Sequence, residues 1–306
     1  MEKVIIIVGP TAVGKTKLSI ELAKKLEAEV ISGDSMQVYK GMDIGTGKIT
    51  TAEMNEIPHH MLDILNPNEP FSVADYQKLV QRKITDLNMR GVTPLLVGGS
   101  GLYIQAVLYD YVFSEQKRDD TLTKQLEARI EQEGNLALYE ELQQVGPEQA
   151  KKLHPNNKRR LIRALEVYHT TGTTLSEWQS EQSESSKYEY HIIGLEMDRE
   201  ALYEQINQRV DAMIQHGLVE EVKHLYEQGY ENTQAMKAIG YKELIPYIKG
   251  ETDLDSAVQL LKRNSRRYAK RQYTWFKNQM NINWYDITRT KYDKIVDNII
   301  KDISEF

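Results

Sequence analysis

The chain has 306 residues, enough for one large domain or two smaller ones, and its 40% hydrophobic and 27% charged residues are an ordinary globular mix. No run approaches the about eighteen apolar residues of a membrane helix, and the absence of cysteine excludes disulfides and thiolate zinc sites. The net charge of −6 argues mildly against nucleic acid as a partner, yet the basic residues are gathered. KRRLIR spans 158–163, and seven Lys or Arg face the single acid Asp255 between Asp255 and Met280. An acidic chain can therefore still present a basic groove. The N-terminal MEKVIIIVGP passes straight into a first strand, which predicts no leader peptide and a cytoplasmic protein.

In chain order, the apolar run VIIIV (4–8) reads as a strand buried on both faces. GPTAVGKT follows at 9–16 and matches the phosphate-cradling pattern G-x-x-x-x-G-K-[ST], with the helical spacing of KLSIELAKKL behind it. Gly9 and Gly14 let the backbone bend around Pro10, Thr11, Ala12 and Val13, turning N–H groups toward anionic oxygens. Lys15 reaches terminal phosphates and the Thr16 hydroxyl is placed to ligate Mg²⁺. The motif signals a polyphosphate and is nearly silent about what is attached to it.

The second strand, EVIS (29–32), leads into ISGDSMQVYKGMDIGTGK (31–48). Asp34, at the carboxyl end of a parallel strand, lies where α/β enzymes put their chemistry. It suits a proton acceptor or the holder of a metal-bound water. A helix N-cap at Asp34 and a turn residue at Asp43 are the alternatives.

FSVADYQKLVQRKITDLNMRG then reads as a helix with a Gly stop, and TPLLVGG (93–99) as a third strand. From 116 to 189 the strand signal gives way to four helical segments: TLTKQLEARIEQEG, NLALYEELQQV, PEQAKKL and NNKRRLIRALEVYHTTG. The polar SEWQSEQSESSKYEY reads as a flexible surface connection. HIIGLEM (191–197) and INWYDI (282–287) are further strands, and a long helix over about 254–279 carries the basic stripe. In INQRVDAMIQHG, Arg209 reads from its helix pattern as a solvated charge.

The whole predicts an α/β fold: a P-loop NTPase-like parallel sheet flanked by helices, with residues 1–115 and 190–306 as catalytic core and 116–189 as an all-helical insertion.

GPTAVGKT together with DSMQVYKGMDIGTGK resembles the bacterial tRNA dimethylallyltransferase family, also called tRNA isopentenyltransferase. The similarity continues in order through IPHHMLDIL, LLVGGSGLYIQAVL, HPNNKRRLIRALEV, the Arg of INQRVDAM, AIGYKE and RRYAKRQYTWF, nearly the whole chain.

The resemblance implies transfer of a dimethylallyl group from dimethylallyl diphosphate to N6 of adenosine 37 of tRNA. The loop would then hold a diphosphate carrying no nucleoside, with Mg²⁺ on Thr16. It assigns the base to Asp34 and a diphosphate contact to Arg209, whose planar fork suits phosphate oxygens. It implies tRNA contacts at Asp34, Ser35, Met36 and Gln37, at Ser100, and at Arg159, Arg160 and Arg163. On the last helix Arg263, Arg266 or Arg267, and Lys270 recur at helical spacing suited to a line of phosphates, and Lys270 and Arg271 join the expected tRNA-binding residues. Tyr268, Tyr273, Trp275 and Phe276 read mainly as core. No membrane and no protein partner are implied, and the cysteine-free end at IKDISEF resembles the short bacterial form. Three rivals share the loop or the chemistry: a small-molecule kinase, a noncatalytic RNA-binding protein, and a prenyltransferase acting on free adenine nucleotide.

Overall fold

Val4 to Val8 are β-branched without interruption, a composition that suits a pleated strand covered on both faces. They form most of β1 (Glu2–Val8), and the computed structural model places β1 inside the sheet. None of these five residues is more than 3% exposed, and each such buried side chain stabilises the fold by roughly 1.5–3 kcal/mol. The structure describes residues 1–111, 113, 120–180 and 185–304. It falls into two units, one made of Met1–Leu108 with Ser186–Phe306, the other of Tyr109–Ser185.

After β1, the first unit runs through α1 (Lys15–Leu26), β2 (Glu29–Ser32), α2 (Thr51–Met54), β3 (His59–His60), α3 (Val73–Met89), β4 (Pro94–Gly98) and α4 (Gly101–Leu108). The second unit holds α5 (Asp120–Glu133), α6 (Asn135–Val145), α7 (Pro147–Lys151), α8 (Lys158–Thr171) and α9 (Leu175–Ser180). The chain then returns to the first unit. There it forms β5 (Tyr188–Glu196), α10 (Arg199–Gln215), α11 (Leu218–Glu227), a short 3₁₀ turn at Ala235–Lys237, α12 (Ile245–Ile248), α13 (Leu254–Gln279), β6 (Asn283–Asp286) and α14 (Tyr292–Ser304).

The sheet order is β3-β2-β4-β1-β5-β6, every pairing parallel, with Ile5 beside both Leu95 and His191. This is the predicted P-loop-like α/β sheet. All five expected strands form. The two-residue β3 was not anticipated, because His59–His60 is too short to show a period. Parallel strands put their carboxyl ends on one edge, so the turns after β1, β2 and β4 emerge as neighbours.

One contact sets how closely they approach. The Gly33 N–H donates to the Val97 carbonyl at 2.7 Å, and a Cβ on Gly98 would lie 2.4 Å from the Gly33 carbonyl oxygen. Only glycine lets β2 and β4 touch there.

The helical unit has its own core of Leu126, Ile130, Leu138, Leu142, Leu161 and Leu165, with α8 turning Arg159, Arg160 and Arg163 outward. Arg163 is not an isolated charge: its Nη1 lies 3.1 Å from the buried Glu166 carboxylate. The expected polar connection is corrected at both ends. Thr174 and Glu177 cap each other and start α9, with the Glu177 N–H on Thr174 Oγ1 (3.2 Å) and the Thr174 N–H on Glu177 Oε2 (2.7 Å). Tyr188 to Tyr190 already belong to β5. The middle of that stretch, 181–184, and the expected boundary at 116 lie outside the described residues.

Because the obstacle at Gly98 is backbone, a Gly98→Ala protein should lose about 1–3 kcal/mol of stability through overpacking, read as a lower urea midpoint at unchanged m value.

Candidate active site

The loop after β1 turns at residues 9–14 and delivers Lys15 and Thr16 as the first residues of α1, where N–H groups have no intrahelical acceptor. Gly14 caps that helix at φ 91°, in the left-handed region. Not every amide of the loop is available to a ligand. Pro10 has none, and the Thr11 N–H donates to Gln272 Oε1 at 2.9 Å. The Val13 N–H reaches back to the Pro10 carbonyl at 3.4 Å, so the cradle narrows to the remaining amides after Thr11.

Gln272 comes from α13 and is 7% exposed. Its Nε2 donates to the Gly99 carbonyl at 3.0 Å, so one amide ties the turn after β1 to the turn after β4.

These turns open into a cavity of about 860 Å³ lined by residues 11–16 and by Asp34, Gln37 and Arg209. Lys15 folds back over its own loop, donating to the carbonyls of Gly9 (2.9 Å) and Pro10 (2.7 Å). Burial above all, then the neighbouring Arg209 charge, lower its pKa to about 7 against the pull of Asp34. Burial likewise raises the pKa of Asp34, opposed by the Met36 N–H and by Lys15. Asp34 does not cap a helix. Its Oδ1 accepts the Met36 N–H at 2.8 Å in a tight turn, which fixes the carboxylate at the cavity wall.

Arg209 projects from α10 and is not a solvated charge. Burial depresses its pKa while Asp34 and Glu53 support its protonation, and its Nη2 occupies the space where a Cβ on Gly47 would stand, 1.7 Å away. The fork is thus wedged against backbone.

Gln37 is partly committed inside the protein. Its Oε1 accepts the Ser32 hydroxyl at 2.8 Å, while its Nε2 lies 3.4 Å from the Thr46 and Gly47 carbonyls. Ser35 and Met36 are half-buried beside Asp34.

Ser100 starts the α4 turn next to Gly99 and shares a side-chain hydrogen bond with Tyr268. Tyr268 lines the cavity, and burial, then the Asp34 charge, push its hydroxyl up to about 12. It is therefore not simply core, and neither is Trp275. Trp275 lines a separate cavity of about 330 Å³ with Lys270, Arg271, Thr274, Asn278 and Gln279. Phe276 is fully buried and Tyr273 packs on the core, donating its hydroxyl toward the Met197 carbonyl at 3.5 Å, as its core reading predicts. Arg159, Arg160 and Arg163 belong to the helical unit.

Sequence reading passed over Gln272, placed Tyr268 mainly in the core, and passed over Glu53. The first two are four apart on one face of α13, and an uncharged Gln within a basic run was the available signal.

A divalent ion would find a hydroxyl at Thr16, which is exposed at the cavity; Glu21 and Asp34 line the same cavity, while the Glu53 carboxylate is taken by the Thr50 N–H and hydroxyl. No cluster of three or more His, Cys, Asp or Glu suited to a metal occurs among the described residues. That donor set fits Mg²⁺ shared with substrate phosphates, which needs few protein ligands.

No helix among the described residues is long and apolar enough to cross a membrane.

Comparison with known proteins identifies a family. The IPP transferase family model matches residues 37–279. The tRNA dimethylallyltransferase of Oceanobacillus iheyensis is 58% identical over 303 residues, covering 99% of this chain and 97% of the relative. That of Bacillus subtilis is 55% identical over 287 residues, covering 94% of this chain and 91% of its own.

Among solved structures, the tRNA isopentenylpyrophosphate transferase of Bacillus halodurans has a TM-score of 0.76 at 48% identity, covering 100% of this chain and 96% of its own. A eukaryotic dimethylallyltransferase acting on tRNA has a TM-score of 0.85 at 32% identity, over 100% of this chain and 80% of that one. The parallel sheet, the phosphate loop and these relatives lead to one conclusion: the chain belongs to the IPP transferase family.

Proposed function

We propose that this protein transfers the dimethylallyl group of dimethylallyl diphosphate to N6 of adenosine 37 in tRNA, releasing diphosphate. The observation that carries the reading is one cavity lined at once by the Lys15–Thr16 helix start, the Asp34 carboxylate and the Arg209 guanidinium.

Breaking the allylic C–O bond leaves negative charge on the diphosphate. Free N–H groups of the loop, Lys15 and Arg209 are suited to stabilise it as it develops. Lys15 exchanges two backbone carbonyls for phosphate oxygens, and Arg209 offers a planar fork. Mg²⁺, held by Thr16 and the diphosphate, would supply further charge neutralisation.

The adenine N6 is a weak nucleophile because its lone pair is delocalised into the ring. Asp34 hydrogen-bonds that amine, orients it, and takes its proton as the N6–C bond forms and the C–O bond breaks. Its raised pKa makes it a stronger base than an exposed aspartate.

The apolar side chains of Ala12, Val13, Ile49 and Leu62 in the same lining suit the prenyl group. Bringing adenosine 37 to this depth requires flipping it from the anticodon loop, at a cost of a few kcal/mol. Ser35, Met36, Gln37 and Ser100 near the cavity, and the exposed Arg159, Arg160, Arg163, Lys270 and Arg271, are the proposed tRNA contacts that offset it.

Purified protein, Mg²⁺ and labelled dimethylallyl diphosphate are expected to label unmodified tRNA bearing adenosine 37. The same tRNA with that position changed, and AMP, should stay unlabelled. Label on AMP would assign a free-nucleotide acceptor, and ATP consumption without transfer would sink the proposal. Asp34→Asn should lower kcat by about 10²-fold or more at nearly unchanged tRNA affinity, and single-turnover rates matching wild type would remove its role as base.

A pH dependence follows from Lys15. Its depressed pKa means that the free protein loses this charge as pH rises through about 7, whereas bound diphosphate restores it. Calorimetry in buffers of different ionisation enthalpy should therefore show more proton uptake on diphosphate binding at about pH 8 than at about pH 6, relative to a Lys15→Arg protein whose charge does not titrate.

A further inference from the structure

Outside the cavity, one carboxylate collects four donors. Glu221, on the first turn of α11, accepts the Asp43 (3.0 Å) and Ile44 (2.8 Å) N–H groups on Oε2. On Oε1 it accepts the Gly45 N–H (3.0 Å) and the Tyr241 hydroxyl (2.6 Å). Three consecutive amides converging on an anion form the kind of concavity that usually takes a bound ligand. Here the protein supplies the anion itself.

The rest of the turn is held by little backbone bonding of its own: Gly47 N–H to the Ile44 carbonyl and Lys48 N–H to the Asp43 carbonyl, both at 2.9 Å. Tyr241 is fully buried, and its ring lies so close that a Cβ on Gly45 would be 2.5 Å from it.

The near end of this turn is thus pinned by Glu221 and Tyr241, and its far end reaches the cavity. Thr46 and Gly47 belong to the lining. Gly47, at φ +59°, sits where any side chain would strike the Arg209 guanidinium, and the Thr46 and Gly47 carbonyls face the Gln37 amide. Lys48 steadies the same end from behind, its buried ammonium reaching Asp43 and Asp63, each at 2.6 Å.

A displacement at Asp43–Gly45 would therefore pass through two residues to the surface against which Arg209 is wedged. Neither Glu221 nor Tyr241 lines the cavity.

We propose that Glu221, assisted by Tyr241, is a positioning residue for diphosphate binding. By fixing the 43–48 turn, it sets Gly47 as the backstop that aims Arg209 into the cavity. The proposal rests on the prenyl-transfer reading above for its substrate, and adds a residue that acts through Arg209 without touching the substrate. The carboxylate matters because all four of its partners donate. An amide in its place accepts on one oxygen only and turns a second set of N–H groups against them.

The test is a double-mutant cycle. Inorganic diphosphate with Mg²⁺ is titrated by calorimetry into wild type, Glu221→Gln, Arg209→Lys and the double variant, with the transfer assay run alongside. Glu221→Gln should weaken diphosphate about tenfold, the scale of one charge-assisted hydrogen bond lost at Arg209. The double variant should bind no worse than the weaker-binding single variant, because both changes disable the same fork. Tyr241→Phe, which removes one donor and keeps the ring, should shift affinity in the same direction by less. It carries the test if the amide variant does not fold.

Wild-type affinity in Glu221→Gln, or losses that add in full, would overturn the positioning role. Absence of transfer by wild type, with the coupling intact, would instead reject the reaction and leave Glu221's role standing.

Discussion

Two cations and one carboxylate share a desolvated space beside the phosphate loop, and much of the molecule keeps that balance tenable. Burial lowers the pKa values of Lys15 and Arg209 and raises that of Asp34, because a low dielectric disfavours every isolated charge. Asp34 supports the charge on both cations and they support its own, while Arg209 works against the charge on Lys15. The arrangement is left with one positive charge in excess, which suits an anionic ligand better than a neutral one. The carbonyls of Gly9 and Pro10 hold the Lys15 ammonium.

That charge arrangement exists only because three turns from distant parts of the chain emerge side by side. The parallel register brings the ends of β1, β2 and β4 to one edge, the Gly33–Gly98 contact closes the distance between two of them, and the Gln272 amide bonds the other pair. Arg209 arrives from α10, after the chain has passed through the helical unit and returned. The site is therefore distributed over elements far apart in the chain and is held by several small locks rather than one.

Much of the sheet was legible in the sequence because buried parallel strands are written as apolar runs, and VIIIV, EVIS and TPLLVGG admit little else. The helix limits of α13 were legible for a similar local reason, with Asp253 capping the start by accepting the Ser256 N–H at 2.8 Å. Less legible were the helix inside SEWQSEQSESSKYEY, whose composition suggested loop although its Thr-Glu cap favours helix, and the paired state of Arg163. In both cases a reading by composition lost to a specific hydrogen bond or ion pair.

The sequence by itself determined the phosphate loop, the α/β class, the presence of a carboxylate after the second strand and, through the ordered set of motifs, the family. All of these depend on residues close together in the chain, where spacing and periodicity carry the information. Only the tertiary structure decided that Arg209 is wedged at the cavity and not solvated, that Thr11's amide is spent on Gln272, that Tyr268 faces the cavity, and that Glu221 anchors the 43–48 turn. Those partners stand from 162 to 261 residues apart (Gly47 with Arg209, Thr11 with Gln272), and no local pattern encodes which long-range neighbour a buried polar group will find.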